Sequence, residues 1–118
     1  QGVSQMLKGG IVCYSNEAKE KLVQVKKETL EQYGAVSKEC AKELAENIRE
    51  LLSADIGISF TGVAGPDSLE GKPPGTVWIG IAIKGKPTKS YLLELASSRN
   101  GNRRRAVNYG CYYLLKQL

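Results

Sequence analysis

A tyrosine and a lysine close together in the chain are the first side chains whose types and spacing could support chemistry. Tyr14 ends a predicted strand, and Lys19 lies in the first turns of the helix predicted next, so both can face one crevice. A lysine partly withdrawn from water there could act as a general base or proton shuttle. A tyrosine hydroxyl could relay or orient the proton. The alternative is a strand-end tyrosine beside an ordinary surface lysine.

A glycine-rich segment from Thr61 to Asp67 could bind phosphate or carboxylate oxygens, because glycines let backbone N–H groups approach a ligand closely. It is not a Walker-type phosphate loop, since no Gly-Lys-Ser or Gly-Lys-Thr follows it. It is not a dinucleotide fingerprint either, since no helix pattern follows. A plain loop is the alternative. The next segment, Pro73 to Val77, is interpreted structurally, because its prolines stiffen the return into a strand.

Four arginines, Arg99, Arg103, Arg104 and Arg105, form the one dense basic cluster of the sequence. At the start of a helix, their guanidinium groups and the free backbone amides would together attract an anion. The formal charge of +5 is also compatible with nucleic acid. However, the cluster is short and lacks the interleaved aromatic residues of an RNA-binding surface. An anion site, ordinary surface arginines or a solvated helix start is therefore favoured over a nucleic-acid stripe.

Composition excludes several classes of protein. The 118 residues contain no histidine, which excludes Ser-His-Asp and Cys-His nucleophile systems within them. Cys13, Cys40 and Cys111 are widely spaced, so we predict free thiols in a reducing cytoplasm and no metal site. No apolar run approaches the roughly 20 residues that span a bilayer. An apolar content of 42% is that of one small globular domain, here covering residues 1–118.

The hydrophobic pattern predicts the elements that would position these residues. Strands are predicted at 9–14, 55–61, 75–83 and 89–95, and a turn at 85–87 joins the last two into a hairpin. Helices are predicted over 17–23, 27–33, about 38–53 and about 102–116, with caps at Ser15 or Asn16, at Ser37, and at Gly34 after the second helix. The predicted core face of the last helix consists of Val107, Cys111, Leu114, Leu115 and Leu118. This order of elements is typical of an α/β fold with helices on both faces of a mixed sheet.

Four segments, taken together and in order, resemble a known family. They read YSNEAK at 14–19, GAVS at 34–37, TGVAGP at 61–66 and KPPGTVW at 72–78. This series closely resembles the CinA C-terminal domain family, whose characterised members include nicotinamide mononucleotide (NMN) amidohydrolases. The resemblance covers nearly all of the chain. It implies a three-layer α/β/α sandwich with a mixed sheet, and hydrolysis of the NMN carboxamide to nicotinic acid mononucleotide and ammonia without a cofactor or metal.

The resemblance also implies roles for individual residues. In the family a serine nucleophile works with a tyrosine and a lysine, and these two carry over onto Tyr14 and Lys19. Lys19 would deprotonate the serine, and Tyr14 would position or relay the proton. Arg103 or Arg105 would hold the phosphate of the nucleotide. The remaining residues of the nucleotide pocket would be Thr61, Gly62, Ala64, Gly65, Pro66 and Thr76.

The family's serine lies in a Glu-Ser-Cys-Thr-Gly-Gly segment upstream of the part matched by Gly9 and Gly10. This sequence contains no such segment. We therefore expect an N-terminally incomplete domain that lacks the family's first helix, first strand and nucleophile helix, and that is inactive by itself. An associated cleaved piece or a partner molecule would then fill the gap in the sheet, because unpaired strand edges promote aggregation.

A second function is compatible with the same sequence, namely a non-enzymatic partner-binding domain. The resemblance implies a link to competence and DNA damage, and therefore a DNA-processing protein as a possible partner. It further implies a cytoplasmic bacterial protein, often fused to a molybdopterin-binding-like domain, that forms a homodimer, has no membrane partner and takes a pyridine nucleotide as its small-molecule partner. Ammonia release from NMN by an extended protein would distinguish the enzyme from the binding domain.

Overall fold

The structure, a computed structural model, describes residues 8–63, 67–95 and 99–118. Its helices are α1 (Asn16–Val23), α2 (Lys27–Tyr33), α3 (Lys38–Leu51) and α4 (Arg99–Gln117). Its strands are β1 (Ile56–Gly62), β2 (Thr76–Ile83) and β3 (Lys89–Glu94). These bounds confirm every predicted helix and the last three predicted strands to within a few residues.

Local capping explains where the first three helices begin and end. The Ser15 hydroxyl accepts a hydrogen bond from the Ala18 N–H at 3.0 Å, and α1 ends at Gln24, which has a left-handed backbone. Gly34, with φ of +83°, follows α2. The Ser37 hydroxyl accepts from the Cys40 N–H at 3.1 Å and so caps α3. The predicted caps at Ser15, Gly34 and Ser37 are thus confirmed.

The described sheet has the order β1–β2–β3, and both pairs are antiparallel. Ile56 lies opposite Ile83 in the first pair, and Thr76 lies opposite Glu94 in the second. The predicted strand at 9–14 is wrong, because residues 8–13 have no regular secondary structure. A run of β-forming residues becomes a strand only beside a hydrogen-bonding neighbour, which this run does not have in the described structure. The described sheet is consequently antiparallel rather than mixed.

Helices cover both faces of this sheet, which makes the predicted three-layer α/β arrangement. Helix α3 lies so close to one face that a Cβ on Gly57 or Gly80 would sit 2.2 Å from a carbonyl oxygen of that helix. On the opposite face, Ile79 and Ile81 are fully buried against α4, where Ala106 is also buried. A smaller cluster of Val23, Val25, Leu30, Ala35 and Cys40 holds α1 and α2 against α3.

The predicted core face of α4 is largely wrong. Val107, Cys111, Leu115 and Leu118 are exposed, and only Leu114 of the predicted set packs on the core. The helix instead turns Ala106, Gly110 and Tyr113 inward. Gly110 lies under the Phe60 ring, where a Cβ would come within 2.7 Å of ring carbon Cζ. Close packing on the sheet therefore selects small residues rather than the most apolar stripe.

Candidate active site at the outer edge of the sheet

A cavity of about 600 Å³ lies along β1. Among the described residues β1 pairs only with β2, so the other edge of β1 faces this cavity. The opposite wall is the irregular segment 8–13. Apolar side chains from α1, α3, α4 and β1 form most of the remaining lining, namely Val23, Leu44, Ile48, Leu52, Ile56, Ile58, Phe60 and Leu114.

The half-buried side chain of Lys19 reaches the wall of this cavity from α1. Helix α1 fixes its backbone, because the Lys19 N–H donates to the Ser15 carbonyl and the Lys19 carbonyl accepts from the N–H groups of Gln24 and Val25. No aspartate or glutamate lines the cavity, and no carboxylate pairs with Lys19 in the part of the chain that is described. A lysine without a carboxylate partner keeps its hydrogen-bonding capacity for a ligand or a neighbouring segment.

The second lysine of the wall has a different environment. The Lys8 ammonium donates a hydrogen bond to the Ser53 carbonyl at 2.8 Å, just beyond the end of α3. That contact ties the segment 8–13 to the far end of the cavity. Of the two lysines, Lys19 is therefore the better candidate for chemistry.

The structure does not bring Tyr14 into the cavity with Lys19. Tyr14 is 87% exposed and is not among the residues that line the cavity. It lies in a bend just before α1 rather than at the end of a strand. The predicted pairing of the two side chains would therefore need Tyr14 to turn inward when a ligand or another segment occupies the cavity.

Two cysteines lie near Lys19. Cys13 lines the cavity, whereas Cys40 is fully buried in α3. Desolvation by burial raises the pKa of the Cys40 thiol from 9.0 to about 11, although the nearby Lys19 ammonium acts in the opposite direction. A thiol that remains protonated at neutral pH is a poor nucleophile, so Cys40 does not replace the serine. All three cysteines are free thiols, as predicted.

The predicted nucleotide pocket is described only in part. Thr61 is buried and its hydroxyl donates to the Ala35 carbonyl at 2.7 Å, while the buried Thr76 hydroxyl donates to the Pro73 carbonyl at 2.8 Å. Both hydroxyls thus hold loops, and each keeps only acceptor capacity for a ligand. Gly62 is needed for close approach, since a Cβ there would lie 2.7 Å from the Thr76 carbonyl oxygen. Ala64, Gly65 and Pro66 lie outside the described residues.

The arginine cluster lies at the start of α4. The backbone of Arg103 belongs to that helix, but its side chain lies outside the described part. Arg105 is exposed and does not line the cavity that contains Lys19. The structure therefore brings Lys19 to the cavity, and it places Thr61 near the end of β1 and Thr76 at the start of β2.

Sequence reasoning missed Glu70. Its carboxylate accepts hydrogen bonds from the backbone N–H groups of Ala35 and Val36, at 2.9 and 3.0 Å. The loop that follows the glycine-rich segment is therefore attached to the turn between α2 and α3. No local pattern could have revealed this contact, because the partners lie about 35 residues apart in the chain.

Two further findings concern metal ions and membranes. No group of His, Cys, Asp and Glu side chains that could hold a metal ion occurs among residues 8–63, 67–95 and 99–118. Within the same ranges, no helix is both long and apolar enough to cross a membrane.

The structure defines an α/β sandwich domain with a cavity at one edge of its sheet, and Lys19 lies on the wall of that cavity. Comparison with known proteins gives the family. The family model for the CinA C-terminal domain matches residues 1–118, and the chain belongs to that family. The resemblance found in the sequence is thereby confirmed.

Individual relatives agree with this assignment. The chain is 57% identical over 117 residues to a Bacillus cereus (strain AH187) protein whose name places it among the competence-damage inducible proteins. It is similar to CinA superfamily structures from Enterobacter cloacae (34% identity, TM-score 0.87) and Escherichia coli (35%, 0.84). These matches cover 99%, 92% and 89% of this chain. The chain spans 28% of the length of the curated relatives it matches, and 64% and 61% of the two solved chains.

Proposed function

We propose that this domain supplies the lysine base of an NMN amidohydrolase, which converts NMN and water into nicotinic acid mononucleotide and ammonia. The proposal rests on the position of Lys19. Its half-buried side chain lies on the wall of a largely apolar cavity, and no carboxylate is among the described residues that line this cavity. A general base accepts a proton through a neutral amine, and a lysine that no carboxylate engages can approach a bound ligand.

The proposed reaction has two stages. Neutral Lys19 accepts the proton of a serine hydroxyl while the serine oxygen attacks the carboxamide carbon. The C–N bond then breaks, and the nitrogen leaves as ammonia with the proton returned by Lys19. Water subsequently attacks the resulting ester while Lys19 accepts a proton from it. Lys19 then returns this proton to the serine oxygen as the C–O bond breaks, which releases the acid product and the free serine. Tyr14 relays or orients the proton once it turns toward Lys19.

The serine comes from a segment of the Glu-Ser-Cys-Thr-Gly-Gly type, which the family resemblance implies and these residues do not contain. The cavity along β1 could accommodate that segment. An extended chain seated there could pair with the free edge of β1 and cover Ile56, Ile58 and Phe60. Its serine would then approach Lys19 across the cavity. Thr61 and Thr76 and the loop between their strands would bind the nucleotide, and Arg103 or Arg105 its phosphate.

The test compares an extended protein that includes this segment with the same protein carrying Lys19→Ala. We expect the extended protein to release ammonia from NMN, and the variant to lose activity by about 100-fold or more, as is usual when a general base is removed. Lys21→Ala is the matched control, because Lys21 lies on the same helix but is exposed and pairs with Glu17 at 2.6 Å. Full activity in Lys19→Ala would exclude the assigned role.

A second candidate is a partner-binding domain without catalysis. The exposed apolar side chains of α4, among them Leu115 (71% exposed), favour it. If the extended protein released no ammonia from NMN while remaining folded, this function would replace the first. The names of the relatives concern competence and damage, which agrees with a partner that processes DNA.

A further inference from the structure

A second cavity, of about 440 Å³, lies beside β3, at the other edge of the described sheet from the cavity along β1. It is bounded by the turn between β2 and β3, the first residues of β3 and the last turn of α4. Three lysines and two tyrosines provide most of its lining: Lys86, Lys89, Lys116, Tyr91 and Tyr113. It shares no residue with the cavity along β1, and its volume lies in the usual range of ligand pockets, roughly 300–1,000 Å³.

The aromatic part of this cavity is an ordered stack. The rings of Tyr91 and Tyr113 are nearly parallel, with centroids 3.9 Å apart and an interplanar angle of 10°. The Gln117 side-chain amide donates to the Tyr91 hydroxyl at 2.9 Å and so fixes that ring. Tyr109 and Tyr112 lie against Tyr113, with ring centroids 6.3 and 5.4 Å away. Four of the six tyrosines of the chain therefore form one surface.

The charged part is uniformly positive. No aspartate or glutamate lines the cavity, and in the described residues no carboxylate pairs with Lys86, Lys89 or Lys116. Lys86 donates a hydrogen bond to the Gln117 carbonyl at 2.7 Å, which holds it at the rim. The Lys116 ammonium lies 5.3 Å from the centroid of the Tyr112 ring, within cation–π range. Cations and aromatic rings are thus interleaved at this cavity.

We propose that this surface, the tyrosine–lysine cavity, binds single-stranded nucleic acid. The flat faces of unpaired bases can stack on the exposed rings of Tyr109 and Tyr112 whatever the base sequence, and the lysines attract the phosphates that link the nucleotides. A duplex keeps its bases stacked on one another, so it can use only the lysines. The site is separate from Lys19, and the proposal holds whether or not the domain hydrolyses NMN.

Binding is measured by fluorescence anisotropy with a labelled oligothymidylate of about 12 nucleotides, within the site size of single-strand-binding folds. Contacts from three lysines predict that log K falls with log salt with a slope of about −2. Affinity should then drop about 20-fold between about 50 and 200 mM salt. The duplex of the same sequence should bind more weakly than the single strand, and equal affinity would overturn the proposal.

Two sets of lysine substitutions separate this surface from general attraction. Replacing Lys86, Lys89 and Lys116 by glutamine should weaken binding about tenfold or more. Replacing Lys26, Lys27 and Lys38 by glutamine is the control, because it changes the net charge by the same amount. These exposed lysines lie at the start of α2 and the start of α3, and α3 covers the face of the sheet opposite to α4. The control should lose much less. Equal losses of affinity in the two sets would show non-specific electrostatic attraction and would overturn the proposed site.

Tyr112 tests the aromatic part, because its side chain is 53% exposed, whereas Tyr113 packs on the core. Tyr112→Phe keeps the ring and should bind like the unchanged protein, whereas Tyr112→Leu should lose about fivefold or more. If Tyr112→Leu fails to fold, the lysine sets still decide the question. A different outcome is that this surface is buried between two copies of the chain, which light scattering would reveal. A dimer abolished by the three-lysine or Tyr112→Leu variant, without oligonucleotide binding by the unchanged protein, would overturn the proposal.

Discussion

The Glu70 carboxylate accepts a hydrogen bond from the backbone N–H of Ala35 at 2.9 Å, and its second oxygen accepts one from Val36 at 3.0 Å. The turn between α2 and α3 also accepts a hydrogen bond from the Thr61 hydroxyl, through the Ala35 carbonyl. Two motifs singled out in the sequence, at 34–37 and 61–66, are therefore joined through this turn. A side chain outside both motifs completes the connection.

Removing this carboxylate should destabilise the domain. Glu70→Ala leaves two partly buried N–H groups without their acceptor, so we expect a loss of about 2 kcal/mol in the free energy of unfolding. Urea denaturation measures it. Glu31→Ala is the control, because Glu31 is exposed and its ion pair with Lys27 spans 3.9 Å, and it should cost under about 0.5 kcal/mol. Equal losses in the two variants would contradict the role given to Glu70.

A methyl group at Gly80 should force α3 away from the sheet. A Cβ there would lie 2.2 Å from the Ala41 carbonyl oxygen and 2.7 Å from the Ser59 hydroxyl, which itself donates to that carbonyl. We expect Gly80→Ala to cost about 3 kcal/mol or more, since neither backbone can yield easily. Gly10→Ala, with nothing within 4 Å of its Cβ, should change the unfolding midpoint little. A midpoint for Gly80→Ala near that of Gly10→Ala would refute this packing.

Burial of Cys40 makes the stability of the domain depend on alkaline pH. The folded pKa of about 11 exceeds the ordinary value of 9.0, so folding favours the protonated thiol. Its contribution is fully present below pH 9 and is lost as pH rises toward 11, amounting to about 2 kcal/mol. The other groups that titrate between pH 9 and 11 are present in both the unchanged protein and Cys40→Ala. The difference in stability between the two proteins therefore reports the Cys40 thiol. The unchanged protein should lose more stability than Cys40→Ala between pH 8 and 11, and parallel losses would count against this account.

Local features could be predicted from the sequence, and features that depend on distant partners could not. Ser15 and Ser37 cap their helices because a hydroxyl and an N–H three residues later are neighbours in any helix. The run at 9–14 has strand-forming residues but lacks a strand to pair with in the described structure. Helix spacing alone predicts Lys19 at the crevice, whereas the exposed position of Tyr14 outside the cavity follows from the irregular path of residues 8–13, which local spacing does not predict.

The exposed apolar face of α4 leads to the last prediction, which concerns the expected homodimer. Val107, Cys111, Leu115 and Leu118 recur at intervals of three or four residues and are all exposed, so they form one stripe. Burying this stripe against a second copy would remove it from water. Sedimentation should show a dimer that Leu115→Glu converts to a monomer, because the charge would be desolvated at the contact. Arg105→Glu is the control, because Arg105 is exposed on the same helix but lies two residues before Val107, on a different face from the stripe, and this variant should remain dimeric. A monomer at all concentrations of the unchanged protein would refute the prediction.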